Sequence, residues 1–113
     1  MFKMESLETR LETLEYYQKL LLQMIDSQRF PFYKLVMERG LTKREVDELF
    51  SLCDKLNLQY EEQKAQGLVI YTDLLTQFAN QLNDKLNANE TIQAMSKQGM
   101  YPLLMKEFIS LLK

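Results

Sequence analysis

The sequence predicts an all-α protein: an irregular multihelical bundle with a long, heptad-patterned N-terminal helix. Three observations predict this class. Apolar residues recur at steps of three and four, each glycine follows a helix-like stretch, and both prolines stand where a helix can restart. A chain of 113 residues, 46% of them apolar, suits one domain. We therefore expect a single helical domain over 1–113, with an oligomerisation helix over 1–28 and a bundle over 31–112.

The glycines and prolines mark where the helices end and begin. Each glycine precedes an apolar residue, the pattern of a left-handed residue that closes a helix C-terminus. Each proline follows an aromatic residue and fits the first turn of a helix. These residues are Gly40, Gly67, Gly99, Pro31 and Pro102. The predicted helices span about 5–28, 31–39, 43–66, 73–85, 88–98 and 102–112.

Capping motifs and apolar faces support these helices. Residues 42–45 match a capping box, residues 87–90 match it loosely, and Thr72-Asp73 suits the start of the fourth helix. Three helices have one apolar face each: Val46, Leu49, Phe50, Cys53, Leu56 and Tyr60 in the third; Leu74, Leu75, Phe78 and Leu82 in the fourth; Leu104, Met105, Phe108, Leu111 and Leu112 in the last. Residues 68–71 are the only strand-like run, and one strand cannot form a sheet, so we expect an extended connector there.

The first helix carries a heptad repeat. Its a and d positions alternate steps of three and four without a break, and we call them the seam: Met4, Leu7, Leu11, Leu14, Gln18, Leu21, Ile25 and Gln28. A seam this narrow is typical of helices that wind beside one another, so the sequence predicts an intertwined homo-oligomer. We expect the residues from Met4 to Ile25 of the seam to form its interface.

The second half of this helix is more apolar than its first half. From Leu14 onward, the apolar surface widens through Tyr17, Leu20, Leu22 and Met24. We interpret the helix as a partner-facing stem that becomes a core helix of the domain. Isoleucine at a and leucine at d suit a dimer, but the apolar flanks suit a thicker assembly, so a trimer is favoured over a dimer.

Gln18 interrupts the seam with an amide at an a position. A buried amide needs hydrogen-bond partners, and symmetry-related copies of Gln18 can supply them to one another. Polar residues at such positions often fix the register and the number of helices.

The composition excludes several kinds of chemistry. The chain has no histidine, the commonest zinc ligand and general base, and one cysteine, so it has no internal disulfide. No phosphate-binding glycine loop or calcium-binding loop is present. We therefore expect no catalytic, metal or cofactor site. No signal-peptide core or membrane-length apolar run occurs, which predicts a cytoplasmic protein that contacts no membrane.

Three sets of residues are candidates for a functional site. Cys53 lies in the middle of an apolar face and is interpreted as a core residue. Glutamates 8, 12 and 15 form a solvated acidic face, with Arg10 and Glu15 as a charged pair beside the seam. Arg39, Lys43 and Arg44 surround the turn at Gly40, and this basic turn is the basis of an alternative function.

The most favoured function is therefore a non-enzymatic interaction or regulatory protein. The alternative is a nucleic-acid-associated regulator that uses the basic turn. A net charge of −2 and the lack of a polybasic block disfavour that alternative. A third hypothesis is an enzyme that relies on carboxylates or tyrosines alone.

Four separated segments resemble a known family. They read SLETRLETLEYYQKLLLQMI, FPFYKLVMERGLTKREVDEL, YEEQKAQG and KQGMYPLLMKEF, and together they extend over nearly the whole chain. In this order they are similar to the YhaI-like family of short bacillar proteins. The resemblance implies a multihelical, self-associating fold and brings no catalytic residues.

Overall fold

A computed structural model describes residues 6–112 of the chain, which hold six α-helices and no β-strand. The helices are α1 (Leu7–Met24), α2 (Pro31–Arg39), α3 (Lys43–Ala65), α4 (Thr72–Gln81), α5 (Ala88–Lys97) and α6 (Pro102–Leu112). The all-α prediction is confirmed for this part of the chain. Residues 68–71 connect α3 and α4 without regular secondary structure, as expected.

The hydrophobic core is built by α2 to α6. α5 packs on α2 and α6, α3 packs on α4, and α6 also contacts α3 and α4. The side chains at its centre are fully buried: Phe32, Cys53, Leu56, Leu74, Phe78, Ile92, Met95, Leu104, Met105 and Phe108. The predicted apolar faces of α3, α4 and α6 therefore face the core, although Val46, Phe50, Leu75 and Leu111 are only partly buried and Leu112 is exposed.

The glycine prediction is confirmed at the end of α2. Gly40 has a φ of 66°, and the next amide, that of Leu41, donates to the carbonyl of Val36 at 3.0 Å. A residue in the left-handed conformation is needed to turn the chain back so that this bond can form. Glycine adopts that conformation without steric strain. The other two glycines, with φ values of 85° and 78°, close α3 and α5 in the same way.

Two helices end earlier than predicted. α1 ends at Met24 instead of near 28, and α4 ends at Gln81 instead of near 85. Just beyond each end, a short polar side chain accepts a hydrogen bond from a backbone amide two residues later, Asp26 from Gln28 and Asn83 from Lys85, both at 2.8 Å. Such side chains offer the backbone an alternative to the helix and so favour a turn.

The helix starts combine local and distant caps. Thr42 and Glu45 form the predicted capping box at α3. Asn87 caps α5. The carboxylate of Glu90 does not complete a capping box there, because it forms an ion pair with Arg39. α4 begins at Thr72, with Tyr71 as its cap residue, one residue before the predicted start.

The start of α2 is capped from a distant part of the chain. Its cap residue, Phe30, makes no side-chain hydrogen bond. Instead the amides of Phe32 and Tyr33 donate to Oε1 of Gln98, at 2.8 and 3.1 Å. This contact satisfies two of the amides that a helix N-terminus leaves free, and it joins α2 to the end of α5.

Candidate self-association surface

α1 lies outside the core. Ser6 caps it by accepting a hydrogen bond from the amide of Thr9 at 3.1 Å, and the 18 residues that follow include none that is buried. At about 1.5 Å per residue such a helix is about 27 Å long. Helices of this length owe most of their stability to packing, which α1 lacks along most of its surface within one chain.

The seam leucines of α1 are exposed. Leu7, Leu11, Leu14 and Leu21 have between 52% and 70% of their surface in contact with solvent. Monomeric proteins rarely leave a row of large apolar side chains open to water, and such rows mark interaction sites. The structure thus brings these four predicted interface residues together on one face of α1.

The other three predicted interface residues differ. Met4 lies outside the described residues. Gln18 is exposed, and its Nε2 lies 3.5 Å from the carbonyl oxygen of Met37, a long distance for a hydrogen bond. Ile25 lies just beyond the end of α1, in extended conformation. The helical part of the seam therefore ends at Leu21, and the prediction that the helix continues through Ile25 is wrong. That Ile25 belongs to the interface stays a prediction.

The prediction that α1 becomes a core helix is also wrong. Of the four residues that widen the apolar surface of α1, Tyr17, Leu20 and Met24 are exposed. Leu22 is the one that is partly buried. The reason is that α2 to α6 enclose the core without α1, which has α2 as its main neighbour. One neighbouring helix cannot cover an apolar surface this wide.

α1 and α2 run antiparallel with an open groove between them. The chain leaves α1 at Met24 and returns along it, so that Gln18 meets Met37. The groove has a volume of about 430 Å³ and is lined by Glu15, Gln18, Lys19, Leu22, Met37 and Glu38. Since α2 ends at Arg39, residues 7–14 of α1 extend beyond the end of α2. In this part of α1, α2 covers neither flank of the seam.

The three cations of the basic turn each form an ion pair with a nearby carboxylate. Arg39 forms an ion pair with Glu90 at 2.5 Å, Lys43 pairs with Asp47 at 2.8 Å, and Arg44 lies 3.8 Å from Glu48. Each cation of the turn thus has a carboxylate beside it. A site for nucleic acid needs cations that can displace counterions from phosphates, and here each such cation already has a protein carboxylate beside it.

Glu45 forms a polar network beside the same turn. Its Oε1 accepts from Lys85 at 2.7 Å and from the amide of Thr42 at 2.9 Å, and its Oε2 accepts from Asn83 at 3.0 Å. Lys85 also donates to the carbonyl of Gly40 at 3.1 Å. The network joins the start of α3 to the segment between α4 and α5. Only its capping bond was predictable from the sequence, because Lys85 and Asn83 lie about 40 residues away.

Glu45 is expected to make the free energy of unfolding depend on pH in the acid range. The bond from Lys85, then those from Thr42 and Asn83, lower the pKa of Glu45 to about 2. Because the folded pKa lies below the unfolded value, its contribution is fully present above about pH 4.5 and is lost as the pH falls towards 2. In thermal melts from pH 7 to 2, Glu45→Gln should be less stable at pH 7 and lose less stability on acidification than wild type.

The control for this prediction is Glu62→Gln. Glu62 is exposed, and its side chain makes no hydrogen bond or ion pair within residues 6–112. This variant should follow the wild-type pH profile. An identical pH profile for Glu45→Gln and wild type would show that the network does not contribute to acid sensitivity.

Tyr101, the aromatic residue before Pro102, makes side-chain contacts that the sequence did not predict. Its φ of 47° is the only positive value of a non-glycine residue among the described residues. Its hydroxyl donates to Asp54 at 2.5 Å, and burial and this carboxylate raise its pKa well above the ordinary value. It borders a groove of about 340 Å³ with Asn57, Tyr60, Glu61, Pro102 and Leu103. A hydroxyl held protonated in this way anchors the start of α6 on α3 and is a poor nucleophile.

Cys53 is fully buried in the core face of α3. Burial, and secondly the charge of Asp54, raise the pKa of its thiol to about 12. Because only the thiolate is nucleophilic, Cys53 should react very slowly with alkylating reagents in the folded protein and rapidly in denaturant. The exposed variant Ser51→Cys, on the same helix, provides the control: one thiol should react fast and one slowly. Fast alkylation of Cys53 in native protein at neutral pH would contradict its assignment to the core.

No three acidic or cysteine side chains of residues 6–112 are grouped so that they could hold a metal ion. In the same residues, no helix combines the length and the hydropathy required to cross a bilayer.

The fold and the exposed seam of α1 define the class of protein: a small all-helical protein with an apolar, heptad-patterned helix outside its core. The chain belongs to the family described as "Protein of unknown function (DUF1878)", whose family model matches residues 4–113. That description names no activity, so membership transfers no site residue to this chain.

Proposed function

We propose that this protein is a non-enzymatic homo-oligomer that acts in the cytoplasm as an interaction or regulatory protein. Its interface is formed by the residues of the seam from Met4 to Ile25: Met4, Leu7, Leu11, Leu14, Gln18, Leu21 and Ile25, the last just beyond the end of α1. The observation that carries the proposal is a helix of 18 residues with none buried and with its seam leucines more than half exposed.

Association would remove this apolar surface from water. Each leucine left in solvent forfeits roughly 1.5–3 kcal/mol relative to a buried one. Part of this free energy is recovered in an oligomer, after the entropic cost of association. Tyr17 and Met24 extend the apolar surface to one flank of the seam, and a helix with such a flank can contact two neighbours. This supports a trimer over a dimer.

The non-enzymatic part of the proposal rests on the side chains that are present. The chain has no histidine, and its one thiol is buried with a raised pKa. The four segments quoted above support a further assignment, that of a bacterial, bacillar protein of the YhaI-like group.

Analytical ultracentrifugation of the wild-type protein tests the proposal. Sedimentation equilibrium at micromolar concentration should give two to three times the chain mass of 13.5 kDa, with three favoured. A mass of one chain throughout that range would refute self-association.

Binding to nucleic acid is the alternative function. With every cation of the basic turn beside a carboxylate, we expect at most weak, salt-sensitive binding to DNA. A sequence-specific shift at nanomolar protein and physiological salt would replace self-association by nucleic-acid regulation as the proposed function.

A further inference from the structure

The two flanks of the α1 seam are unequal. In the heptad, position e is held by Glu8, Glu15 and Leu22, and position g by Arg10, Tyr17 and Met24. α2 covers the e flank around Leu22, which is partly buried. The g flank has no such cover: Tyr17 is 53% and Met24 is 77% exposed.

Charge complementarity between copies favours parallel α1 helices. In a parallel coil, position g of one helix faces position e of the next helix in the following heptad, so Arg10 faces Glu15 of the other copy. An antiparallel arrangement brings e flanks together and would place the carboxylates of Glu8 and Glu15 against one another. Neither Arg10 nor Glu15 forms an ion pair within residues 6–112, so both are available for a second copy.

The same register directs Tyr17 towards Leu22 of the next copy. There, α2 already lies beside Leu22, and the space open to Tyr17 is the 430 Å³ groove between α1 and α2. Leu22 and the polarizable side chain of Met37 offer apolar contact for the ring, and sulfur favours aromatic neighbours. Glutamates 15 and 38 lie in the lining of the groove as acceptors for the hydroxyl. Tyrosine, with an apolar ring and a polar end, matches this mixed lining.

We propose that, in a parallel assembly, Tyr17 of each copy enters the groove between α1 and α2 of the next copy. The inference rests on the proposed self-association and specifies the surface that accepts Tyr17: each α2 contributes to the interface as well as each α1. A seam alone would bind a second α1 without involving α2.

A pair of adjacent tyrosines tests this inference. Tyr16 is as exposed as Tyr17, 58% against 53%, but occupies the outward f position of the heptad. Tyr17→Glu should raise the dissociation constant of the oligomer at least about tenfold, as expected for a packed aromatic at an interface. Tyr16→Glu introduces the same charge and should leave it unchanged. Met37→Glu, on the receptor side, should weaken association as Tyr17→Glu does.

Disulfide cross-linking tests the parallel arrangement. Leu7→Cys, at a d position near one end of α1, meets its own copy only when helices are parallel and in register. Oxidation should give a covalent dimer with Leu7→Cys and none with Glu12→Cys, at an outward position. The buried Cys53 of folded protein serves as an internal reference that does not cross-link.

The outcomes separate the two proposals. If the wild type is oligomeric and Tyr17→Glu associates as tightly as Tyr16→Glu, the groove inference is wrong and self-association stands. If Leu7→Cys gives no covalent dimer in an oligomeric protein, the helices are not parallel and the inference is also wrong. A monomeric wild type would overturn both proposals.

Discussion

Replacing Leu7 and Leu14 together by glutamate is expected to yield a monomer that keeps its helical fold. Both residues lie on the exposed seam of α1, and neither contributes to the core of α2 to α6. Each change removes an apolar side chain worth roughly 1.5–3 kcal/mol on burial and places a carboxylate where a copy of itself would approach. The effect is repeated in every copy, so association should be lost at micromolar concentration.

Sedimentation equilibrium measures this change, and circular dichroism checks that the helices remain. The matched control is Tyr16→Glu with Gln23→Glu, which adds the same charge at two outward positions of the same helix. This control should associate like wild type. If the seam variant remains an oligomer of wild-type mass, the interface lies elsewhere on the molecule.

Phe78→Ala is expected to have the largest effect on stability. The ring of Phe78 is fully buried on α4, and its centroid lies 5.5 Å from that of Phe108 on α6. The truncation removes apolar contacts and leaves a cavity between two helices. Losses of about 3–5 kcal/mol are typical of such changes. For a domain that is stable by about 5–15 kcal/mol, this is a large fraction of the total.

Urea unfolding, monitored by circular dichroism, gives the free energy of unfolding for this comparison. Val69→Ala is the control, since Val69 is 80% exposed in the connector between α3 and α4. Its effect should lie within about 0.5 kcal/mol of zero. A loss below about 1 kcal/mol for Phe78→Ala would mean that α4 does not pack against α6 as described. Because the free energy of an oligomer depends on concentration, both variants are compared at one protein concentration.

Helix boundaries marked by glycine, proline or a capping box were predictable. Gly40 and Pro31 impose backbone conformations that hold in any surroundings, and Thr42 is satisfied by a residue three positions away. The ends of α1 and α4 were missed by about four residues. Asp26 and Asn83 stop these helices through turns that are weak signals in a sequence, because such side chains also occur within helices.

The candidate surface was predictable only in part. The heptad spacing identified Leu7, Leu11, Leu14 and Leu21, since a step of three and four places residues on one helix face whatever their neighbours are. The assignment of Tyr17 and Met24 to the core was wrong. An apolar stripe is equally suited to its own core and to a partner, and periodicity does not distinguish the two.

The all-helical class, the helix ends that follow from backbone chemistry and the seam of α1 could all be predicted from the order of the residues. These depend on interactions within about four residues, whose geometry is fixed by the helix itself. Three features depend on long-range packing instead: α1 lies outside the core, Gln98 caps α2, and Glu45 binds Lys85. Those contacts join residues far apart in the chain, and they form because closing the core of α2 to α6 brings their backbones together.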